Sequence, residues 1–242
     1  MTTVRVSAPG GNTAVNIYSP EGYRLLTELW VKSAWEHRVS YELTWLGVPI
    51  IQLPEDMLMM QELIYKVRPD VIIETGVAHG GSAIFYASLL ELLRNGRVLS
   101  IDVEIRKYNR LAIQSHPMSL RIALIEGNST DDSIVREVRG AIRPDERVLV
   151  VLDSNHTCAH VREEMERYAP LVSSDSYLVV FDGVMERLTD APSGSPVWST
   201  DNPAAAVRDF LESHKEFAVD PYYNRLRVTY CPGGFLRRIG EA

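Results

Sequence analysis

Short apolar runs alternate with helical stretches along most of the chain. Five runs are rich in aliphatic and β-branched residues and predict strands buried on both faces, at residues 71–74, 97–102, 121–125, 148–152 and 177–181. Helices are predicted between these strands, at about 81–94, 106–114, 131–140 and 158–170. This alternation implies right-handed crossovers, so it predicts an α/β fold with a doubly wound, mainly parallel sheet.

The segment before the first of these strands has a different pattern. Residues 1–20, which include Pro9-Gly10-Gly11-Asn12, show no sustained period and predict an extended arm. From Pro20 to about residue 37, apolar side chains recur at helical spacing, at Tyr23, Leu26, Trp30 and Ala34. Such a stripe is most often a core face, and the alternatives are a cap over a pocket or a contact with a second subunit. We predict an N-terminal arm and capping helix over 1–53 and the main domain over 54–242.

Further elements are predicted at the two ends of the main domain. Pro54 opens a helix that ends before Pro69, because proline is tolerated in the first helical turn and breaks the helix later. After the fifth strand, the stretch 183–201 contains Pro, Gly and Ser and is too long for an ordinary connection, which indicates a lid, a binding loop or disorder. A helix over 203–213 and two C-terminal antiparallel strands, near 225–230 and 235–239, complete the predicted fold.

Composition and charge narrow the possible partners. The chain has 242 residues, a net charge of −7 and no tract in which Lys or Arg alternates with aromatic residues, so nucleic acid is not expected as a partner. No apolar run approaches the roughly 18 residues that would span a bilayer, and no signal-peptide pattern is visible, so we expect a cytoplasmic protein without membrane insertion. Cys158 and Cys231 lie far apart without metal-ligand spacing, so neither a disulfide nor a zinc site is predicted.

Acidic residues follow four of the predicted strands. Glu74 ends the first strand, Asp102 the second, Asp153 the fourth and Asp182 the fifth. In an open parallel sheet the carboxyl ends of the strands meet at one edge, and ligands bind there. We therefore expect these carboxylates to gather around a ligand site.

The first predicted strand runs into a glycine-rich turn, residues 74–82 (Glu-Thr-Gly-Val-Ala-His-Gly-Gly-Ser). Its glycines let the backbone approach a ligand, but neither the Gly-x-Gly-x-x-Gly fingerprint nor a P-loop lysine is present. An acidic residue at this strand end suits the sulfonium and ammonium groups of S-adenosylmethionine. We predict that this cofactor contacts Glu74, Gly76, Gly80 and Ser82; a purely structural tight turn is the alternative.

Residues after the second and third strands extend this predicted cofactor site. Asp102 can accept hydrogen bonds from both hydroxyls of a ribose. Asn128, within Gly127-Asn128-Ser129, can line an adenine, and its alternative is a solvated loop residue. Together with the glycine turn, these residues predict a Rossmann-like fold of the class I methyltransferase type.

The segment after the fourth strand carries the candidate catalytic residues. His156 follows the strand end, where an imidazole can take a proton from a substrate hydroxyl; a helix N-terminal residue bonded to its neighbours is the alternative. Asp153 and Asp182 end neighbouring strands and can share one Mg²⁺, or they can cap helices instead. His79 and His160 are weaker candidates. His79 lies inside the glycine turn, where it can simply bond to the backbone, and no further ligand accompanies a His156–His160 pair.

The motifs resemble the cephalosporin hydroxylase-like family, whose members include metal-dependent sugar O-methyltransferases acting on rhamnosyl and macrolide sugars. The resemblance covers about residues 40–239, and its markers are Thr-Trp-Leu-Gly-Val-Pro at 44–49, Gln-Leu-Pro at 52–54, Arg-Pro-Asp-Val-Ile-Ile-Glu-Thr-Gly at 68–76, His-Gly-Gly-Ser at 79–82, Asp153-x-x-His156 and Phe181-Asp182.

The resemblance implies a chain that methylates a sugar hydroxyl of a glycoside, natural product or polysaccharide. It implies cofactor contacts at Glu74, Gly76, Ser82, Asp102 and Asp153, a Mg²⁺ held by Asp153 and Asp182, and His156 as general base. It also implies a homo-oligomer, with the N-terminal arm and first helix as the expected interface.

One departure concerns the metal. Many relatives have Glu-Asp at the end of the fifth strand, and here Phe181 takes the Glu position, so a third protein ligand is expected elsewhere. Its candidates are Glu186, Asp201 and Asn202 on the long loop. The same loop is also expected to select the acceptor, through Met185, Trp198, Asp201 and Asn202.

Two other functions remain open from the sequence. The first is a phenol- or catechol-type O-methyltransferase, and the second is a non-catalytic subunit that binds S-adenosylmethionine. Hydroxylation is not expected, because the chain shows no two-histidine, one-carboxylate iron site.

Overall fold

A seven-stranded sheet with helices on both faces forms the centre of the fold in the computed structural model, which describes residues 2–8 and 11–240. The strands in the described part of the chain are β1 (Thr3–Ala8), β2 (Gly11–Asn16), β3 (Thr44–Trp45), β4 (Val48–Pro49), β5 (Val71–Thr75), β6 (Arg97–Asp102), β7 (Ile122–Glu126), β8 (Val148–Leu152), β9 (Tyr177–Val180), β10 (Phe217–Val219) and β11 (Phe235–Arg238). The α-helices there are α1 (Pro20–Glu36), α2 (Pro54–Val67), α3 (Gly81–Leu93), α4 (Lys107–Ser115), α5 (Asp132–Gly140), α6 (Cys158–Tyr168) and α7 (Pro203–Ser213).

The order of the strands confirms the predicted doubly wound sheet. The order is β10-β11-β9-β8-β5-β6-β7, in which β7, β6, β5, β8 and β9 are parallel. The order reverses between β5 and β8, so the chain leaves these two neighbouring strands in opposite directions along the sheet. The last strand, β11, pairs antiparallel with both β9 and β10, which confirms the prediction of C-terminal antiparallel strands.

Both faces of the central strands are buried, which explains their continuous apolar sequences. Along β5, Val71 and Ile73 pack with Met165 of α6, whereas Ile72 belongs to a second cluster with Phe85 of α3. Successive side chains of a strand point to opposite faces, so each strand contributes to both cores. The two cores fix the sheet between its helices.

The N-terminal segment differs from the predicted extended arm. β1 and β2 pair antiparallel as a hairpin, in a register that places Val4 opposite Val15. The prediction was wrong because cross-strand pairing stabilises two short strands of mixed composition, and neither strand shows a sustained period of its own. Pro9 and Gly10, which belong to the predicted turn, lie outside the described residues.

Helix α1 has the predicted bounds but a different buried face. Its buried residues are Gly22, Thr27, Val31 and Ala34, whereas Tyr23, Leu26 and Trp30 are exposed, and Trp30 has a relative accessibility of 50%. Gly22 lies so close to β2 that an added Cβ would be 2.0 Å from the carbonyl oxygen of Asn16. This contact holds the helix with its small and β-branched residues inward, and the predicted apolar stripe is left on the surface apart from Ala34.

The chain before the last strand also differs from the prediction. Residues 225–230 form no strand, and the strand in this region is β10 instead. The buried carboxylate of Asp56 explains the difference, because it accepts hydrogen bonds from the Thr229 hydroxyl and, at 2.8 Å, from the Tyr230 amide. A backbone amide that bonds to a side chain is not available for a β ladder.

The residues before 54 contact the main domain. Trp45 packs edge-on against Phe85 of α3 at 4.9 Å between ring centroids, and its indole nitrogen donates to the Ser88 hydroxyl at 3.0 Å. The division of the chain at residue 53 stays a prediction. Among the helices that the structure describes, none has both the length and the apolarity to cross a bilayer.

An ion pair at the amino end of β6 leads to a prediction about the stability of the fold. Arg97 at the start of β6 binds both oxygens of Glu146, at 2.5 and 2.9 Å, and Glu146 is buried. The hydrogen bonds from Arg97 lower the pKa of Glu146 to about 2. Because this pKa is lowered in the folded state, the pair stabilises the fold above about pH 4.5, and the stabilisation is lost as the pH falls toward about 2.

We therefore expect Glu146→Gln to lower the free energy of unfolding at pH 7 by about 3 kcal/mol. Urea unfolding would measure this, and the loss should shrink by about 1 kcal/mol at about pH 3.5, because part of the pair's contribution has then disappeared from the wild type as well. Glu137→Gln, at an exposed site on α5, is the matched control. An equal loss at both pH values would contradict the assignment.

Candidate active site

Two cavities lie at the carboxyl ends of β5 and β8, where the strand order reverses. The first, the Asp102 cavity, has a volume of about 330 Å³ and is lined by residues that follow β6, β7 and β8, among them Asp102, Asn128, Ser129, Asn155 and His160. The second, the glycine-turn cavity, has a volume of about 180 Å³ and is lined by Val77, His79, Ser82, Asp153, His156 and Asp182, among others. Both cavities include Gly76 and Ser154, so they are neighbours.

The glycine turn lies directly against the end of β8. Gly76 has a φ of +93°, and an added Cβ would be 2.0 Å from the carbonyl oxygen of Asp153. Asp102 holds the other side of the turn, because its Oδ2 accepts hydrogen bonds from the amides of Val77 at 2.8 Å and Ala78 at 3.2 Å. Asp102 therefore fixes the turn and also lines the cavity on its far side.

Glu74 lies beneath this turn and not on the cavity surface. It is buried, and the hydroxyl of Ser100 donates to its Oε2 at 2.7 Å. Burial raises the pKa of Glu74 to about 7, although hydrogen bonds from Ser82 and Ser100 oppose this shift. Its predicted contact with the cationic end of a cofactor stays a prediction.

Asn128 makes the hydrogen bonds of a turn residue while it lines the Asp102 cavity. Its side-chain oxygen accepts from the Thr130 amide at 3.3 Å, and its amide group donates to Asp131 at 3.3 Å. These bonds match the loop role that the sequence left open. Because the residue also faces the cavity, its predicted contact with an adenine stays a prediction.

A buried acid organises the floor of the Asp102 cavity. Glu164 of α6 accepts hydrogen bonds from Ser129 at 2.5 Å and Ser154 at 2.7 Å, and it lies 3.5 Å from the Nε2 of His160. The hydrogen bond with Glu164 raises the pKa of His160. His160 is thus paired with an acid on its own helix, and it does not belong to the group of three possible metal ligands that contains His156 in the described residues.

Asp153, His156 and Asp182 come together at the edge of the glycine-turn cavity. Ligand atoms of the three side chains lie within 4.8 Å of one another, and His156 Nε2 is 3.4 Å from Asp182 Oδ2. Burial raises the pKa of Asp153 well above its usual range, and the nearby charges of Asp182 and Glu74 add to this. Burial also raises the pKa of Asp182, against the opposing effect of His156.

Two carboxylates at this distance repel each other, so that each raises the energy of the other's charged form. A cation bound between them would remove this repulsion. Carboxylate oxygens are ligands that Mg²⁺ prefers, and the ion can complete its octahedron with waters. The donor set therefore fits Mg²⁺. His156 adds a nitrogen to the same group, which would also suit a transition metal.

The three candidates for a further metal ligand have other partners. Glu186 pairs with Arg208 at 2.6 Å, and Asp201 accepts from the amide of Cys158 at 2.6 Å. Asn202 caps α7 through the amide of Ala205 at 2.9 Å. The structure places His156, and none of these three, beside the two aspartates.

A third cavity, the tryptophan cavity, opens beside the metal-type group. Its volume is about 340 Å³, and it shares Tyr41, Ile51, His156 and Asp182 with the glycine-turn cavity. Its walls are aromatic: Trp35 of α1 lies edge-on to Trp198 at 6.0 Å and to Tyr230 at 5.3 Å.

The sequence predicted only part of this third cavity. Met185 and Trp198 of the long loop line it as expected, whereas Asp201 and Asn202 do not belong to its lining. Trp35, Tyr41 and Tyr230 were missed, because no local pattern connects a helix near the N-terminus with a segment near the C-terminus. The available signal was the density of aromatic residues in 30–45.

Comparison with known proteins agrees with this arrangement. The family described as "Rhamnosyl O-methyltransferase/CmcI" matches residues 37–239. A rhamnosyl O-methyltransferase of Mycobacterium leprae (strain TN) is 31% identical over 203 residues, which cover 81% of this chain and 82% of that protein. A protein of the same name from Mycobacterium tuberculosis (strain ATCC 25618 / H37Rv) is 27% identical over 201 residues, covering 81% and 78%.

Solved structures show the same fold. A structure of CmcI with Mg and SAM superposes with a TM-score of 0.58 at 17% identity, covering 83% of this chain and 78% of that one. The O-methyltransferase TomG from Streptomyces achromogenes, in complex with SAM, gives a TM-score of 0.51 at 20% identity, covering 79% and 80%. This likeness confirms the methyltransferase-type fold.

The family match also confirms the predicted resemblance and the prediction of an O-methyltransferase enzyme. It spans β3 to β11 and therefore includes the glycine turn, the Asp153–His156–Asp182 group and the long loop. The chain belongs to the Rhamnosyl O-methyltransferase/CmcI family.

Proposed function

We propose that this chain transfers the methyl group of S-adenosylmethionine to a sugar hydroxyl held in the tryptophan cavity. The observation that carries the proposal is the continuity of the three cavities. The Asp102 cavity shares Gly76 and Ser154 with the glycine-turn cavity, which in turn shares His156 and Asp182 with the tryptophan cavity. A donor placed across the first two cavities would present its methyl group to an acceptor in the third.

The cofactor residues follow from this placement. Asp102 would accept hydrogen bonds from the ribose hydroxyls, and Asn128 would lie beside the adenine. The methionine end would lie along the turn, against Gly76 and Ser82, with Gly80 allowing the turn to enter α3 at a φ of +92°. Glu74 would act from beneath as a negative charge that favours the sulfonium.

His156 would remove the proton from the acceptor hydroxyl. Its imidazole lines both the glycine-turn cavity and the tryptophan cavity, so it borders donor and acceptor at once. Asp182, 3.4 Å from Nε2, would stabilise the imidazolium that forms. A bound Mg²⁺ would lower the pKa of the hydroxyl and fix its orientation, and Asp153 and Asp182 would hold it. Most of the acceleration would come from holding the hydroxyl in line with the methyl group.

The aromatic walls favour a sugar acceptor of the rhamnosyl type. Trp35, Trp198 and Tyr230 offer flat apolar surface on which the C–H face of a sugar ring can pack, with polar groups at one end. Two relatives named as rhamnosyl O-methyltransferases support the same class of acceptor. The same walls would also hold a flat phenol or catechol, which makes that acceptor the second candidate.

A homo-oligomer and a cytoplasmic location stay predictions. The exposed stripe of α1, formed by Tyr23, Leu26 and Trp30, is the surface that we propose for a contact between two copies of the chain. Tyr18, just before the helix, extends this apolar surface.

The cofactor proposal is tested by titrating S-adenosylmethionine into chelator-treated protein in a calorimeter. We expect micromolar binding, weakened at least about tenfold by Asp102→Asn, because the amide donates where a ribose hydroxyl needs an acceptor. Asp145→Asn, at an exposed surface site, should leave the affinity unchanged. A well-folded wild-type chain that binds no cofactor would remove the basis of the proposal.

Two variants test whether His156 acts as the general base or as a metal ligand. His156→Ala should lower methyl transfer to a rhamnoside by about 10²- to 10⁴-fold while the affinity for Mn²⁺, measured by electron paramagnetic resonance as a stand-in for Mg²⁺, stays the same. Asp182→Asn should weaken both. Loss of Mn²⁺ binding in His156→Ala would make His156 a metal ligand instead. Unchanged turnover in His156→Ala would rule out its role as base.

The interface proposal is tested by the mass of the particle in solution. Light scattering should show an oligomer for the wild type and a smaller species for Trp30→Glu, because a charge in a buried apolar contact is costly. Leu120→Glu, at a fully exposed apolar residue away from α1, is the control. An unchanged mass in Trp30→Glu would exclude this face of α1 as the interface.

A further inference from the structure

A cavity lined by basic side chains lies next to the tryptophan cavity. It has a volume of about 360 Å³, and its charged lining consists of Arg24, Lys32, Arg187, Arg227 and a single acid, Glu28. We call it the arginine cavity. With Asp190, which pairs with Lys32, four positive charges stand against two negative charges, and the local charge is +2 in a chain whose net charge is −7.

The three arginines of this cavity are not used by the fold. Lys32 pairs with Asp190 at 2.7 Å, but the side chains of Arg24, Arg187 and Arg227 form no ion pair or hydrogen bond with the side chains described for residues 2–5 and 14–240 or with their backbone. Other arginines of the chain, such as Arg97, Arg167 and Arg208, do pair with acids. Three guanidinium groups without partners around one cavity leave many N–H donors available to a ligand in that cavity.

The arginine cavity and the tryptophan cavity are built from the same three segments. The short 3-10 helix Gly183–Arg187 supplies Met185 to the tryptophan cavity and Arg187 to the arginine cavity. The segment 227–230 supplies Tyr230 to the first and Arg227 to the second. The two cavities are therefore neighbours, and each of these two segments contributes to the walls of both.

Helix α1 supplies the third shared wall. Arg24, Val31 and Lys32 line the arginine cavity, and Trp35, one turn further on, lines the tryptophan cavity. Residues spaced by three, four and seven lie on one face of a helix, and one turn advances by about 5.4 Å. A ligand about 10 to 15 Å long could thus lie along α1, with one end at His156 and the other among the arginines.

The basic side chains of the arginine cavity favour an anionic ligand. Guanidinium groups bind phosphate oxygens through paired hydrogen bonds and keep their charge at any physiological pH. S-adenosylmethionine has one anionic group, the carboxylate of its methionine end, and the proposed function places that end along the glycine turn, in a cavity that shares no lining residue with this one. An anion in the arginine cavity would therefore belong to the acceptor and not to the methyl donor.

We propose that the arginine cavity binds a phosphate or diphosphate group of the acceptor, so that the substrate is a sugar linked to phosphate and not a neutral glycoside. This proposal rests on the proposed function for the position of the sugar, but the anion site itself stands on the arginines alone. The phosphate anchors the acceptor at one end, and the sugar hydroxyl to be methylated lies at the other, beside His156.

Inorganic pyrophosphate is the probe for the anion site. In calorimetry at fixed ionic strength and without added metal, it should bind the full chain, and Arg187→Gln/Arg227→Gln should bind about tenfold more weakly. Arg94→Gln/Arg139→Gln removes the same charge from two exposed positions, one just after α3 and one in α5, and should bind like the wild type. His156→Ala should also bind like the wild type, which separates this cavity from the metal-type group.

A second measurement tests the link to the acceptor. The kcat/KM for rhamnose 1-diphosphate, which is long enough to reach from His156 to the arginines, divided by that for methyl rhamnoside, should exceed one in the wild type and fall about tenfold in Arg187→Gln/Arg227→Gln. The control Arg94→Gln/Arg139→Gln should keep the wild-type ratio. A loss through misfolding would lower both rates together and leave the ratio unchanged.

The outcomes separate this proposal from the proposed function. Methyl transfer with equal preference for both acceptors, and pyrophosphate binding that is equal in all variants, would overturn the anion site while leaving sugar methylation intact. Pyrophosphate binding that depends on Arg187 and Arg227, without methyl transfer to any sugar, would support the anion site and contradict sugar methylation.

Discussion

The geometry of the site depends on the side-by-side packing of β5 and β8, the two strands at which the sheet reverses its order. The turn that leaves β5 must pass directly over the end of β8, and at Gly76 the backbones come so close that a Cβ would be 2.0 Å from the carbonyl oxygen of Asp153. Asp102, at the end of β6, holds the same turn through the amides of Val77 and Ala78. Three adjacent strands thus fix one loop, and both cavities that include Gly76 take their shape from it.

This packing also forces acids together in a place with little water. The pKa values of Glu74, Asp153 and Asp182 are all raised, mainly by burial. Glu74 accepts hydrogen bonds from two serines, which stabilise its charged form within the protein. Gln52 favours the charged form of Asp153 and His156 that of Asp182, but burial outweighs both effects, and buried charges are costly. The cation that we propose between Asp153 and Asp182 would offset this cost.

The sheet and the acids at its edge were predictable from the sequence, because the ends of parallel strands share one edge wherever the strands occur in the chain. Other features needed the three-dimensional structure. Asp56 draws Thr229 and Tyr230 away from a β ladder, and a contact of Gly22 with β2 turns the apolar stripe of α1 outward. Each effect comes from a single contact. Asp56 is far from Thr229 and Tyr230 in the sequence, and Gly22 meets a strand that the sequence pattern did not reveal. Hydrophobic periodicity carries no information about such contacts.

In the proposed function, the chemistry and the choice of acceptor therefore rest on different parts of the molecule. The groups that would act on the methyl donor and the proton lie on strand ends, where the core on both faces of the sheet restricts their movement. The walls of the tryptophan and arginine cavities come from α1, the helix Gly183–Arg187 and the segment 227–230, which lie outside the sheet. Substitutions on these three segments can change the length and charge of the acceptor that fits, while Gly76, Asp102 and Asp153 keep their positions. Because the exposed stripe of α1 lies on a different face from its cavity residues, a second subunit could pack on the helix without closing either cavity.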